Sequence, residues 1–393
     1  MTADIGLVIS SLFFGYLSDK VGRKPCVLAC QFGGALGSIL KYLARGNYWT
    51  FCGANFFTGL FAGSLAVGMA YASDAIPSRE GTDSEMAKII AISLIGRVGG
   101  GILAILLQSM GLFIPLLYSA GISLMAGIIC FFWMVEARDN AASSKEESQL
   151  NMSVATEDSK DESMEKDEVL DKRALWNVLA GELADNLGSI GLVPICISPL
   201  MFQTFYQNFV DQGLDPIMSA VAYKWLYVCV ALIVVPGAAI APFLFKKYGP
   251  ALSAVTANIF TGIVTVVLLQ VANISPVTFA TYAIFVAILY AAFPLTVISQ
   301  LSTGPMLDRI SPLSKRGQIQ GLNLAFMNLA SAIGPFLYGI LADATSIDVV
   351  LYTTTGVSLL AAVVNAPLTR DARFGPESKD NHMDETIEID PSV

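Results

Sequence analysis

Charge is scarce in this chain of 393 residues: Asp, Glu, Lys and Arg make up 14% of it, against 54% apolar residues. With a mean hydropathy of +0.62, that composition excludes a water-soluble globule. Histidine is almost missing. The single one, His382, lies in an acidic tail, so no imidazole can relay protons or hold a metal within the apolar body. Cysteine is sparse and badly spaced for cross-linking: Cys26, Cys30, Cys52, Cys130, Cys196 and Cys229 form no CxxC pair and have no histidine nearby, which argues against disulfides and structural zinc. Cys26 and Cys30, four apart, share a helix face and read as buried free thiols. No nucleophile, metal or nucleotide motif is present, so an enzyme has little support and no cofactor is called for.

A basic patch is also lacking. The formal charge of −9 comes entirely from residues 137–173 and 370–393, which net −5 and −4, while the rest of the chain balances. Acidity thus belongs to two tethered segments, and nothing points to nucleic acid as a partner.

What the chain has is long apolar runs, eleven of them: 2–18, 26–43, 49–72, 89–110, 113–135, 175–202, 218–245, 252–272, 277–301, 319–341 and 349–366. A hydrocarbon slab about 30 Å thick needs about 20 helical residues, and most runs reach that length, so they predict membrane-spanning helices in a lipid bilayer. They are continuous rather than alternating, which rules out barrel strands. The turns after the first, third, fifth, seventh and ninth helices, with the C-terminal tail, hold 19 of the 23 bases; the opposite turns hold Lys41 and Arg45. The positive-inside bias then puts the Asp19 to Lys24 turn, the linker and the C-terminus in the cytoplasm of an unspecified membrane.

The expected architecture is all-α: a polytopic bundle with helices over 1–136 (about five), a disordered acidic linker over 137–173, helices over 174–369 (about six), and a disordered acidic tail over 370–393. The halves share a weak repeat. Leu17 to Gly22 can be laid over Leu244 to Gly249, and Gly96, Arg97 and Gly101 over Gly334, Pro335 and Gly339. Two bundles of like topology suit a secondary transporter with a midplane site between them. Because the first half is one helix short and its first run is only about 17 residues, about 25 Å of helix, an upstream helix is expected to be missing from this chain. Residues 1–6 carry no basic group, so a signal peptide is a poor alternative.

The densest motif is Gly15-Tyr16-Leu17-Ser18-Asp19-Lys20-Val21-Gly22-Arg23-Lys24-Pro25. Gly15 permits close helix contact, and Gly22 permits the tight turn into the next helix. The string resembles the cytoplasmic signature of the major facilitator superfamily, G-x-L-(S/A)-D-(R/K)-x-G-(R/K)-(R/K). The likeness extends to Asp74, Pro77 and Arg79, and to Pro312, Arg316, Gly317 and Gly321. It implies that the first helix here is the family's second, and that Asp19, Arg23 and Asp74, with Lys24 beside them, join a charge network latching the outward-open state. The plainer reading is that these charges only anchor a turn. Two departures weaken a drug-exporter assignment: Asn55, ahead of Gly59 and Gly63, stands where many members carry arginine, and Arg97 stands at a proline position.

Charges inside hydrocarbon cost about 2.5 to 3.5 kcal/mol on insertion scales and so face a cavity or a partner. Arg97, Glu182, Asp185 and Lys224 are the four that sit well inside a run. Glu182, Asp185, Asn186 and Ser189 fall at i, i+3, i+4 and i+7, one polar stripe on an apolar helix, most simply a water-accessible surface. Two carboxylates so close repel when both are ionised, which suits the pair to carry a proton; the competing reading puts them at the cytoplasmic interface. Arg97 is expected to pair across a cavity or within its own bundle, and Lys224 to pair or snorkel. Pro194 and Pro199 are candidate hinges, and Tyr290, Asn323 and Asn328 further lining residues. The sequence therefore points to a monomeric transporter moving a small solute by alternating access, with protons as a candidate coupling ion. The alternative is a non-transporting receptor or scaffold on the same fold, or an inactive truncated transporter.

Overall fold

The computed structural model describes residues 2–76, most of 85–136, 170–190, 206, 208–213, 234–274 and 278–376, and the regular elements among these residues are helices. The first half contains α1 (Thr2–Val21), α2 (Arg23–Leu43), α3 (Tyr48–Leu60), α4 (Ser64–Ala75) and α5 (Ile114–Trp133). The second contains α6 (Lys172–Ile190), α7 (Val234–Tyr248), α8 (Pro250–Ala272), α9 (Phe279–Asp308), α10 (Arg316–Ala344) and α11 (Ile347–Asn365). Seven helical stretches among the described residues are long and apolar enough to cross a membrane, with α3 and α4 counting as one.

Helix starts follow from local chemistry. The Asn47 side chain accepts from the N–H groups of Trp49 and Thr50 at the head of α3, Thr278 and Thr281 form a reciprocal box at α9, and Ser346 accepts from Val349 N–H at α11. The lipid side shows in α5, where only Ala120 and Gly127 are buried while Ile122, Met125, Phe131, Phe132 and Trp133 are exposed. With no water to exclude, such a helix holds its place through the small residues on its inner face. Gly127, for example, meets the Phe32 ring.

Within the first half α2 packs on α3, α4 and α5, and α1 on α3; within the second α8 packs on α9 and α11, and α6 on α9, α10 and α11. The halves meet where α1 and α4 lie along α10. A shared apolar cluster of Ala66 and Met69 with Leu324 seals part of that seam.

The expected repeat is visible in the backbone. Gly22 (φ 112°) and Gly249 (φ 81°) each occupy the residue before a helix, α2 and α8 respectively, in a region of backbone space that side chains rarely adopt. In both halves the segment following the last helix folds back onto this turn. A Cβ on Gly22 would meet the Glu136 carboxylate, and one on Gly249 would meet the main chain of Phe374 and Gly375. The runs 89–110, 175–202 and 218–245, the linker over 137–169 and the tail over 377–393 lie partly or wholly outside the described residues, as do Pro77, Arg79, Pro194, Pro199 and His382.

Candidate functional site

Two clusters of buried polar side chains stand out, one between the halves and one inside the second half. The first is centred on Arg23, which is 4% exposed. Its NH1 reaches Asp19 Oδ1 at 2.8 Å and donates to Ser18 Oγ at 2.6 Å, while its Nε and NH2 reach Asp74 Oδ2 at 2.9 and 2.8 Å. One guanidinium thus joins the end of α1 to the end of α4, using the planar fork that a lysine lacks.

Asp19 also works across the seam. Its Oδ1 and Oδ2 accept the backbone N–H groups of Gly317 and Gln318 at 2.9 and 2.8 Å, so it caps the first turn of α10, where the helix dipole favours an anion. Reciprocally, Arg316 donates from NH1 to Ser73 O at 2.6 Å, and its Nε lies 3.3 Å from Asp308 Oδ1, which also accepts the Ser73 hydroxyl. The helices can come this close because Gly15 has no side chain. A Cβ there would stand 2.5 Å from Gly317 O and 2.8 Å from Gly321 Cα. Asn328 Nδ2 and Ser11 Oγ, at 3.4 Å, add a polar contact further along the same seam.

The second cluster begins at Glu182 and Asp185 on α6, 3% and 4% exposed. Glu182 is ten residues beyond Lys172, about 15 Å along the helix, which puts it deep in the bundle and not at its rim. Its Oε1 accepts Asn186 Nδ2 at 2.8 Å and its Oε2 accepts Thr303 Oγ1 of α9 at 2.5 Å. Asp185 faces Ser299 of α9 and Asn258 of α8, and these two are joined by an Asn258 Nδ2 to Ser299 Oγ bond of 2.8 Å. No group of three or more His, Cys, Asp or Glu able to hold a metal is found among the described residues.

The sequence profile of the Major Facilitator Superfamily matches residues 4–305 and 218–388, nearly the whole length. The chain belongs to the major facilitator superfamily. A curated gentisate transporter from Corynebacterium glutamicum is 34% identical over 106 residues, covering 27% of this chain; the match spans 23% of that relative's own length. Among solved structures, the human organic anion transporter MFSD10 (TETRAN) superposes with a TM-score of 0.67 at 17% identity, covering 93% of this chain and 82% of that one. The proton:xylose symporter XylE does so with a TM-score of 0.64 at 14% identity, covering 94% and 84%. At these identities the likeness is one of fold.

Within this superfamily fold, Asp19 and Asp74 are brought together by Arg23, Gly15 lies against α10, and Gly22 lies against Glu136. Lys24 takes a different place: its backbone N–H donates to Glu136 Oε2 at 3.0 Å and its ammonium lies 5.7 Å from the centre of the Phe131 ring. Glu136 also accepts Arg23 N–H at 2.8 Å, so it caps α2 with both oxygens. That role was missed because Glu136 adjoins the acidic linker and reads as part of it. Arg97 and Lys224 lie outside the described residues.

Of the polar stripe, Glu182, Asp185 and Asn186 are buried in this conformation, where hydroxyl and amide groups of α8 and α9 meet them, while Ser189 is half-buried. Asn258, Ser299 and Thr303 were not singled out from sequence; isolated polar residues in apolar runs carry no periodic signal. Asn323 is buried with its Oδ1 unbonded, and Gly59 and Gly63, where Asn55 replaces the family's arginine, serve instead to let α3 and α4 approach Ala3, Gly6 and Ser10 of α1.

Proposed function

We propose that this chain moves a small organic solute across a bilayer by rocking its two halves, and that the conformation seen here is closed at the Asp19 end. The observation that carries the reading is the reciprocal capping across the seam, Asp19 on the α10 backbone and Arg316 on Ser73 O. These bonds lie between the halves and can be broken by separation without unfolding either one. We place the Asp19 end, the linker and the C-terminus in the cytoplasm, on the strength of the basic residues gathered there.

In this proposal Glu182 or Asp185 takes up and releases a proton, with Arg97 supplying the countercharge. Coupling requires that proton or solute bind the two states unequally, since equal affinity shifts nothing. The names of the relatives suggest a test panel of gentisate, other organic anions and a pentose. Purified protein in vesicles is expected to accumulate one of these in response to a pH gradient, and Glu182→Gln with Asp185→Asn to lose that response. Absence of flux for the whole panel under either gradient polarity would favour the scaffold reading, whereas gradient-driven uptake in the double variant would remove the carboxylates from the coupling.

A further inference from the structure

Glu182 and Asp185 are one turn apart, yet their surroundings differ atom by atom. Both Glu182 oxygens are served by donors, Oε1 by the Asn186 amide and Oε2 by the Thr303 hydroxyl. That is the environment of an ion. Asp185 has Ser299 and Asn258 on its carboxyl group, yet its Oδ2, buried to the same degree, has no partner, and neither has Oδ1 of that same Asn258 on α8. Two buried oxygens that can only accept, in the same cluster, leave both desolvated and unbonded, which a folded protein rarely tolerates.

One proton resolves both. We infer that Asp185 is carried as the carboxylic acid in this conformation, its Oδ2–H donating to Asn258 Oδ1, while Glu182 stays a carboxylate. This rests on the coupling role proposed above and goes beyond it in assigning the proton to one residue and one atom. The remaining surroundings offer no other neutralising group among the described residues. α8 carries no charged residue, and the charged residues of α9, α10 and α11 are at their ends: Asp308, Arg316, Asp343 and Asp348. On α6 itself the bases Lys172 and Arg173 lie in the first turn. The tyrosines of the packed helices, Tyr282, Tyr290, Tyr338 and Tyr352, bring no positive charge.

The location gives the proton a gate. Its holders belong to α6, α8 and α9, all of the second half, so it is not freed simply by parting the halves. It leaves when α6 shifts against α8 and α9 far enough for water to reach Oδ2. The O–H bond then breaks, the proton passes to that water, and Asp185 is left as a solvated carboxylate.

Infrared spectroscopy of the full chain in lipid nanodiscs at neutral pH tests this without reference to any solute. The expected result is a protonated-carboxyl C=O band that shifts in D2O, is lost in Asp185→Asn and is kept in Glu182→Gln. Asn258→Leu, which removes the acceptor and keeps the carboxyl, is expected to move the band to higher frequency and not erase it, and this variant decides the matter if Asp185→Asn does not fold. A band lost in Glu182→Gln and kept in Asp185→Asn, a band unmoved by Asn258→Leu, or no such band in the unsubstituted protein overturns the assignment. If the band behaves as expected while vesicles show no gradient-driven flux, the coupling proposal fails and the protonation assignment stands.

Discussion

The seam cluster and the α6 cluster are both buried and both built around aspartates, yet they handle charge in opposite ways. At the seam, Asp19, Asp74 and Asp308 are matched by Arg23 and Arg316, and the backbone of α10 supplies further donors. In α6, no base faces the two carboxylates among the described residues, and neutral hydroxyls and amides surround them. A matched cluster changes state by moving its partners apart. An unmatched one changes state by gaining or losing a proton. Under the proposals made above, the mechanical joint and the chemical one are in different places, the first between halves and the second within one.

Breaking the joint by shape should have the largest effect. Gly15→Val puts a branched side chain against Gly317 O and Gly321 Cα, which are backbone atoms and cannot rotate away. The halves are expected to stay apart at that end, read as a lengthened distance between spin labels at Lys20 and Gln318 and a loss of transport. An unchanged distance would show that the Asp19 end is held by something other than this glycine contact.

Removing a charge comes next, and here the two clusters should diverge. Arg23→Ala removes the guanidinium that bridges Asp19 and Asp74, at about 3 kcal/mol of stability. Asp185→Asn replaces one neutral hydrogen-bonding group by another of the same shape and is expected to cost under about 1 kcal/mol. Thermal unfolding in one detergent checks both. Equal losses would erase the distinction between a paired and a protonated cluster.

The legible part of this molecule was what repeats. Continuous apolar runs disclosed the helices, and the signature string marked Gly15, Asp19, Gly22 and Arg23 as one charged turn, but that Asp19 caps α10 across the seam is visible only in the structure. The polar stripe on α6 was visible through its helical period, but its orientation was not. Periodicity places Glu182 and Asp185 on one face and is silent on what that face meets. Their partners Asn258, Ser299 and Thr303 come from two helices more than seventy residues away in sequence, and such pairing exists only after folding. Glu136 was hidden for another reason: one acid at the edge of an acidic segment looks like the segment.

The smallest expected effect concerns the rim beneath the second half, where charges are matched as at the seam but exposed to water. Arg373 bonds Asp171, at the end of the linker, at 2.7 Å and Asp371 at 2.6 Å, while Arg309 donates to the carbonyls of Arg373 and Gly375. Its guanidinium, through these hydrogen bonds above all, holds both aspartates below the usual carboxylate range. A carboxyl depressed on folding adds stability that is present above its unfolded value, about pH 4, and is lost as pH falls through the folded value. Arg373→Met should therefore lower the unfolding temperature slightly at pH 7 and flatten its decline below about pH 4, with the difference shrinking in high salt because exposed pairs are screened. The Arg23 variant, whose pair is shielded, should show little such salt dependence. If both variants respond to salt alike, the seam is wetter than its burial implies, and the contrast between a solvated strap and a sealed latch fails.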